Sequence, residues 1–115
     1  MFVNLTSDDA WPAGMALHWT EIAVQRGHKA AVWLNVEAVR IAVKGIAHPT
    51  HAMQDKSAQE MLNDVSQAGG SVYVCGGCLK RAGFGPDDLV GGVQMGHPDK
   101  VMPAMFDSAT KVISW

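Results

Sequence analysis

Two cysteines stand three positions apart in Cys75-Gly76-Gly77-Cys78, and they are the only thiols in the 115-residue chain. A thiolate attacks sulfur, disulfides and metals where a thiol does not, so the surroundings of such a pair decide its chemistry. The spacing suits sulfur carriage on one thiol, dithiol–disulfide exchange between the two, or half of a metal site. Cys75 directly follows the apolar run Val72-Tyr73-Val74 and opens a segment that Gly83 closes about two helical turns later. A cysteine at the start of a helix meets unpaired amides and the positive end of the helix dipole, which favours the thiolate. Gly76 and Gly77 leave room beside the sulfur, and Lys80 and Arg81 add positive charge one turn on. Cys75 is therefore the expected nucleophile. Cys78 is the second candidate, as a resolving thiol or as a small packing residue.

Other residues offer competing chemistry. His48-Pro49-Thr50-His51, taken with the two cysteines, makes a Cys2His2 metal module conceivable, although one C-x-x-C without a partner pair is a weak zinc signal. His48, His51 and His97 are equally compatible with lining the cysteine pocket or a subunit contact, and no role is assigned to them. A thioredoxin-like oxidoreductase is the other alternative. Its motif comes early, after a second strand, whereas here three strands precede the pair and Gly-Gly stands where Gly-Pro is usual. For Cys75 the plain alternative is a buried inert thiol. Asp8 and Asp9 read as helix-start residues. Met15, Met61, Met102 and Met105 read as core or subunit-contact residues, and Trp11, Trp19, Trp33 and Trp115 mostly as packing.

The elements that must position the pair follow from periodicity. Phe2 to Leu5 predicts a strand, ending in the polar loop Thr6 to Asp9. Met15, Trp19 and Ile22 recur at helical spacing up to Gly27, and Pro12 is tolerated in a first turn. His28 to Asn35 holds the continuously apolar Ala30 to Leu34, the pattern of a strand covered on both faces. Val36, Val39 and Val43 predict a short helix ending at Gly45, weakened by its β-branched residues. Ile46 to Lys56 has no periodicity and predicts a long loop. Ser57 and Glu60 have capping-box spacing before Met61, Leu62, Val65 and Ala68. Ser71 to Val74 predicts the third strand, Val90 to Met95 a fourth, Pro98 to Ala109 a helix containing Pro103, and Lys111 to Trp115 a fifth strand. Strands alternating with helices at this spacing predict βαβ units, hence an α/β three-layer sandwich with a mostly parallel five-stranded sheet. The carboxyl ends of its strands would then gather Cys75, the loop after Leu5, the loop beginning at Asn35, and Gly96-His97 on one edge.

Composition bounds the function. The chain is 48% hydrophobic and 17% charged, enough for one core over residues 1–115 and too few charges for a disordered tail. An apolar surplus in so small a domain points to a homo-oligomer. The net charge of −2, with Lys and Arg scattered, leaves no basic footprint for direct nucleic-acid binding. Apolar runs are too short or too interrupted for a membrane span, and no signal-peptide pattern opens the chain, so a cytoplasmic location is expected.

The order of these features resembles the DsrE-like family of sulfur-relay proteins over nearly the whole chain. The resemblance rests on Phe2 to Asp9, the helix running to Arg26-Gly27-His28, the strand Val32 to Val36, Val72 to Cys75 with Gly83 eight residues on, and the ending Val112 to Trp115. It implies a flavodoxin-like fold, assembly into trimers or hexamers, and a cysteine at position 75 that receives sulfur as a persulfide and passes it on. Sulfur donor and acceptor proteins would be the partners, with no cofactor required. Cys78 departs from relatives with a single cysteine at this turn.

Overall fold

The computed structural model describes residues 1–115. Five strands, β1 (Phe2–Leu5), β2 (Ala31–Leu34), β3 (Ser71–Cys75), β4 (Val93–Gly96) and β5 (Val112–Ser114), form one sheet in the order β4-β3-β2-β1-β5. Every pairing is parallel. The helices are α1 (Ala10–Gln25), α2 (Ala58–Gln67), α3 (Gly76–Arg81) and α4 (Pro98–Phe106), with 3-10 segments at Val36–Ala42 and Pro86–Asp88.

The strand order determines which face each helix covers. From β1 to β4 the chain advances one strand at a time in a single direction. Right-handed crossovers therefore keep α1, α2 and α3 on one side of the sheet. The step from β4 to β5 runs back across the sheet in the opposite direction, so the same handedness places α4 on the other side. The buried clusters agree. Val3, Leu5, Val32, Leu34, Val72 and Val74 pack with Ala13, Leu17, Ile41, Leu62, Val65 and Leu79 in the main core. Phe2 and Ala31 turn the other way and pack against Val101 of α4, with Trp33 and Tyr73 beside them. The result is the expected three-layer α/β sandwich, with a thin second layer made by one nine-residue helix.

Local signals explain most boundaries. Asp9 caps α1, its Oδ1 accepting the Trp11 N–H at 2.9 Å, and Ser57 caps α2, its Oγ accepting the Glu60 N–H at 3.2 Å. The helix expected over Val36 to Val43 is instead 3-10. Asn35 supplies no cap; its side chain is turned towards β1, Nδ2 donating to Asn4 Oδ1 at 2.7 Å, and Val36 enters with φ of 54°. Val90 to Gly92 precede β4 rather than belonging to it, and α4 ends at Phe106, short of Ala109. Gly96 is required where it stands. A Cβ there would lie 2.8 Å from Trp33 Cη2, so the indole fills the space that the missing side chain leaves.

The packing expected of the tryptophans is split. Trp33 and Trp115 are half-buried against the core clusters, but Trp11 and Trp19 are 56% and 53% exposed. Met61 is buried, whereas Met102 lies on the surface. Helical periodicity shows which residues share a face. It does not show whether another element of the same chain covers that face.

Candidate functional site

All five strands run in one direction, so their carboxyl ends form one edge, and the chain stitches that edge together. Thr6 donates from both its backbone N–H and its Oγ1 to the Trp115 carbonyl, at 2.8 and 2.9 Å. The Asn35 amide reaches Asn4 and the Leu5 carbonyl. Cys75 stands on this edge as the last residue of β3, an interior strand, and as the N-cap of α3.

Its sulfur acts as the cap. Cys75 Sγ accepts the backbone N–H of Cys78 at 3.3 Å. Both cysteines are free, half-buried thiols packed at the margin of the main core. The expectation of a thiolate favoured by the helix start is not met. Burial pushes the Cys75 thiol above its ordinary range, and a hydrogen bond with the Cys78 side chain pushes it further in the same direction. The amides of Cys78 and Gly77 pull it down, but less strongly. The physical reason is size. A helix of six residues sums few peptide dipoles, and the partial burial of the sulfur against the core outweighs them.

The space around the pair is open. A groove of about 410 Å³ runs between the Val36–Ala42 segment and α3, lined by Val36, Glu37, Arg40, Cys78, Arg81 and Ala82. A larger depression of about 610 Å³ lies along α2, next to Val90, Gly91 and Gly92, and contains neither cysteine. Of the residues singled out in the sequence, Cys78 and Arg81 face the groove together, while Cys75 holds the turn beneath them. Arg40 and Glu37, which pair at 3.7 Å, were not anticipated there. Nothing in their spacing relates them to α3. They meet it because β2 and β3 are neighbours whose carboxyl ends release both segments on the same side.

The histidines are placed elsewhere. His51 is 1% exposed, stacked on Trp11 with ring centroids 5.2 Å apart, and its Nδ1 accepts the Met53 N–H at 3.2 Å. His48 Nε2 lies 3.1 Å from the Arg40 carbonyl. His97 caps α4 beyond β4, its Nδ1 accepting the Asp99 N–H. No three His, Cys, Asp or Glu side chains converge as metal ligands, so the Cys2His2 arrangement is not assembled. No helix is long and apolar enough to cross a membrane.

Comparison with known proteins places this architecture. The family model described as DsrE/DsrF-like matches residues 1–114. No curated protein matches the sequence. Among solved structures, the ychN protein from E. coli superposes with a TM-score of 0.78 at 18% identity, covering 99% of this chain and 97% of that one. MTH1491 from Methanobacterium thermoautotrophicum, described as a protein of unknown function, superposes at 0.73 with 13% identity, covering 99% and 96%. At these identities the two likenesses establish a shared fold.

Proposed function

We propose, from the premise that this chain belongs to the DsrE/DsrF-like family, that it is a sulfur carrier in which Cys75 holds sulfur as a persulfide and relays it between partner proteins. The observation that carries this reading is the placement of Cys75 at the carboxyl end of an interior strand, half-buried, its sulfur accepting the Cys78 N–H, and followed by two glycines. In the transfer, the Cys75 thiolate attacks the terminal sulfur of a donor persulfide. The new S–S bond forms at Cys75, the donor's S–S bond breaks, and the donor thiolate leaves with the electron pair. The acceptor repeats the step on Cys75-S-SH, so no oxidant is consumed. A raised thiol pKa makes the attacking thiolate the minor species at neutral pH, while its greater basicity makes each thiolate a better nucleophile.

Approach by another protein's sulfur is supported on the Gly77 side, where a Cβ would meet nothing within 4 Å, whereas at Gly76 the Met95 methyl already stands 3.0 Å from where a Cβ would lie. Self-association belongs to the same reading. Met1, Trp19, Ile22, Ala23, Ile113 and Trp115 line an all-apolar groove of about 380 Å³ beside the edge strand β5, a surface suited to a second copy of the chain.

Intact-protein mass spectrometry after incubation with a protein persulfide tests the carrier reading. A reducible gain of one sulfur, lost in Cys75→Ser, is the expected outcome. A wild-type protein that gains no sulfur overturns it. The closeness of the two cysteines, with the Cys78 N–H donating to Cys75 Sγ at 3.3 Å, favours a second reading, dithiol–disulfide exchange, whose signature is the loss of two hydrogens without gain of sulfur.

A further inference from the structure

The groove between the Val36–Ala42 segment and α3 has a chemical character that a site served only by a protein donor does not need. Its walls bring a thiol, Cys78, together with two guanidiniums, Arg40 and Arg81, from segments far apart in the chain. Glu37 offsets only part of that charge, at 3.7 Å from Arg40, and Arg81 makes no ion pair. The groove is thus net positive beside a sulfur. Its volume of about 410 Å³ lies within the usual range for a small-molecule site. Val36 on its rim is held in the left-handed region at φ 54°, where a β-branched residue is strained and where strain tends to mark functional positions. That conformation turns the chain out of β2 so that Glu37 and Arg40 stand across from α3.

We propose that this groove binds a small anionic sulfane-sulfur donor, Arg40 and Arg81 holding its charged end while Cys78 takes the sulfur and hands it to Cys75. The proposal rests on the carrier reading of Cys75 and adds a second route of loading. Inorganic thiosulfate and the persulfide of a carboxylate-bearing thiol such as glutathione share the required chemistry, a transferable sulfur on an anion. With thiosulfate, the Cys78 thiolate attacks the outer sulfur, a Cys78 S–S bond forms, and sulfite leaves with the electrons of the broken S–S bond. With glutathione persulfide, the leaving group is the glutathione thiolate. Cys75 thiolate then attacks the terminal sulfur of Cys78-S-SH, becoming the persulfide and releasing Cys78 as thiolate. Neither step changes the total oxidation state of the sulfurs. Guanidiniums suit the held end because they bind carboxylate and sulfonate oxygens through paired N–H donors.

The test compares three donors, thiosulfate, glutathione persulfide and a protein cysteine persulfide, on wild type, Arg81→Ala, Arg81→Lys and Cys78→Ser, with sulfur gain read by intact-protein mass spectrometry. Wild type is expected to load from at least one small donor, and which one identifies the source. Arg81→Ala should raise the half-loading concentration of that donor by about tenfold, the loss of one charge-assisted contact, with loading by the protein donor unchanged. Arg81→Lys should recover part of the loss, which a purely structural role for Arg81 would not produce. Cys78→Ser should abolish loading from the small donor. If neither small donor loads the wild type, or if Arg81→Ala and Cys78→Ser load from it as wild type does, the groove proposal fails while protein-donor loading of Cys75 leaves the carrier reading intact. Failure of Cys75 to load from any donor removes both.

Discussion

The Cys78 amide points at the sulfur of Cys75, 3.3 Å away, so the first turn of α3 is closed by a thiol in place of the usual hydroxyl or carboxylate. Burial, and after it the Cys78 side chain, hold the Cys75 proton more tightly than in an ordinary thiol. Reaction of Cys75 with a neutral alkylating agent should therefore rise with pH through a midpoint above that of free cysteine, about 8.5. Cys78→Ala should move the midpoint down, because it removes the side-chain hydrogen bond. Stability follows the same linkage. With the folded-state value raised, the contribution of the Cys75 thiol is complete below the unfolded value and is lost as pH rises through the folded one. The melting temperature should fall more steeply above about pH 8.5 in wild type than in Cys75→Ser.

Gly14 and His51 are fitted to each other. The imidazole lies flat over α1 where a Cβ at Gly14 would come within 2.7 Å of its Cγ. Gly14→Ala should favour the helix intrinsically yet displace the ring, and with it the loop of residues 46–56. A net destabilisation of about 1–3 kcal/mol is expected from urea unfolding, as for other overpacked cores. If the variant is instead stabilised, the loop moves freely enough to release His51.

Val36 combines a left-handed backbone with a side chain that is 53% exposed, so little burial is lost on replacing it. Asn tolerates this conformation better than any β-branched residue. Val36→Asn should raise stability by about 1 kcal/mol in urea unfolding. Should the groove serve a donor as proposed, the rim stays in place and small-donor loading persists.

Trp19 projects beside Ile113 and Trp115 into the apolar groove at the β5 edge. Trp19→Glu should shift the chain towards monomer in sedimentation velocity at concentrations where wild type associates. Helix α1 should remain folded by circular dichroism, because Trp19 lies on its exposed face. Wild type that sediments as a monomer at high concentration would show that this groove does not join copies of the chain.

Much of the frame was legible from residue patterns. The continuously apolar Ala30 to Leu34 announced a strand covered on both faces, and parallel pairing through all five strands follows. The Ser57 cap and the strand-to-helix turn at Cys75 were readable because capping depends on neighbours within three residues. The Val36 to Val43 periodicity misled, since Val36 adopts a conformation that its own side chain disfavours and only the packing of residues 36–42 against α3 and the sheet maintains.

By itself, then, the sequence determined the alternation of strands and helices, the position of Cys75 between a strand and a helix, and the composition of the core. These depend on local periodicity and on chemistry carried within a few residues. Only the tertiary structure decided the tightened proton on Cys75, the burial of His51 under Trp11, and the meeting of Arg40 with Arg81 and Cys78 across one groove. Each depends on groups remote in the chain that the sheet order makes neighbours, and desolvation and charge act through space, irrespective of sequence separation.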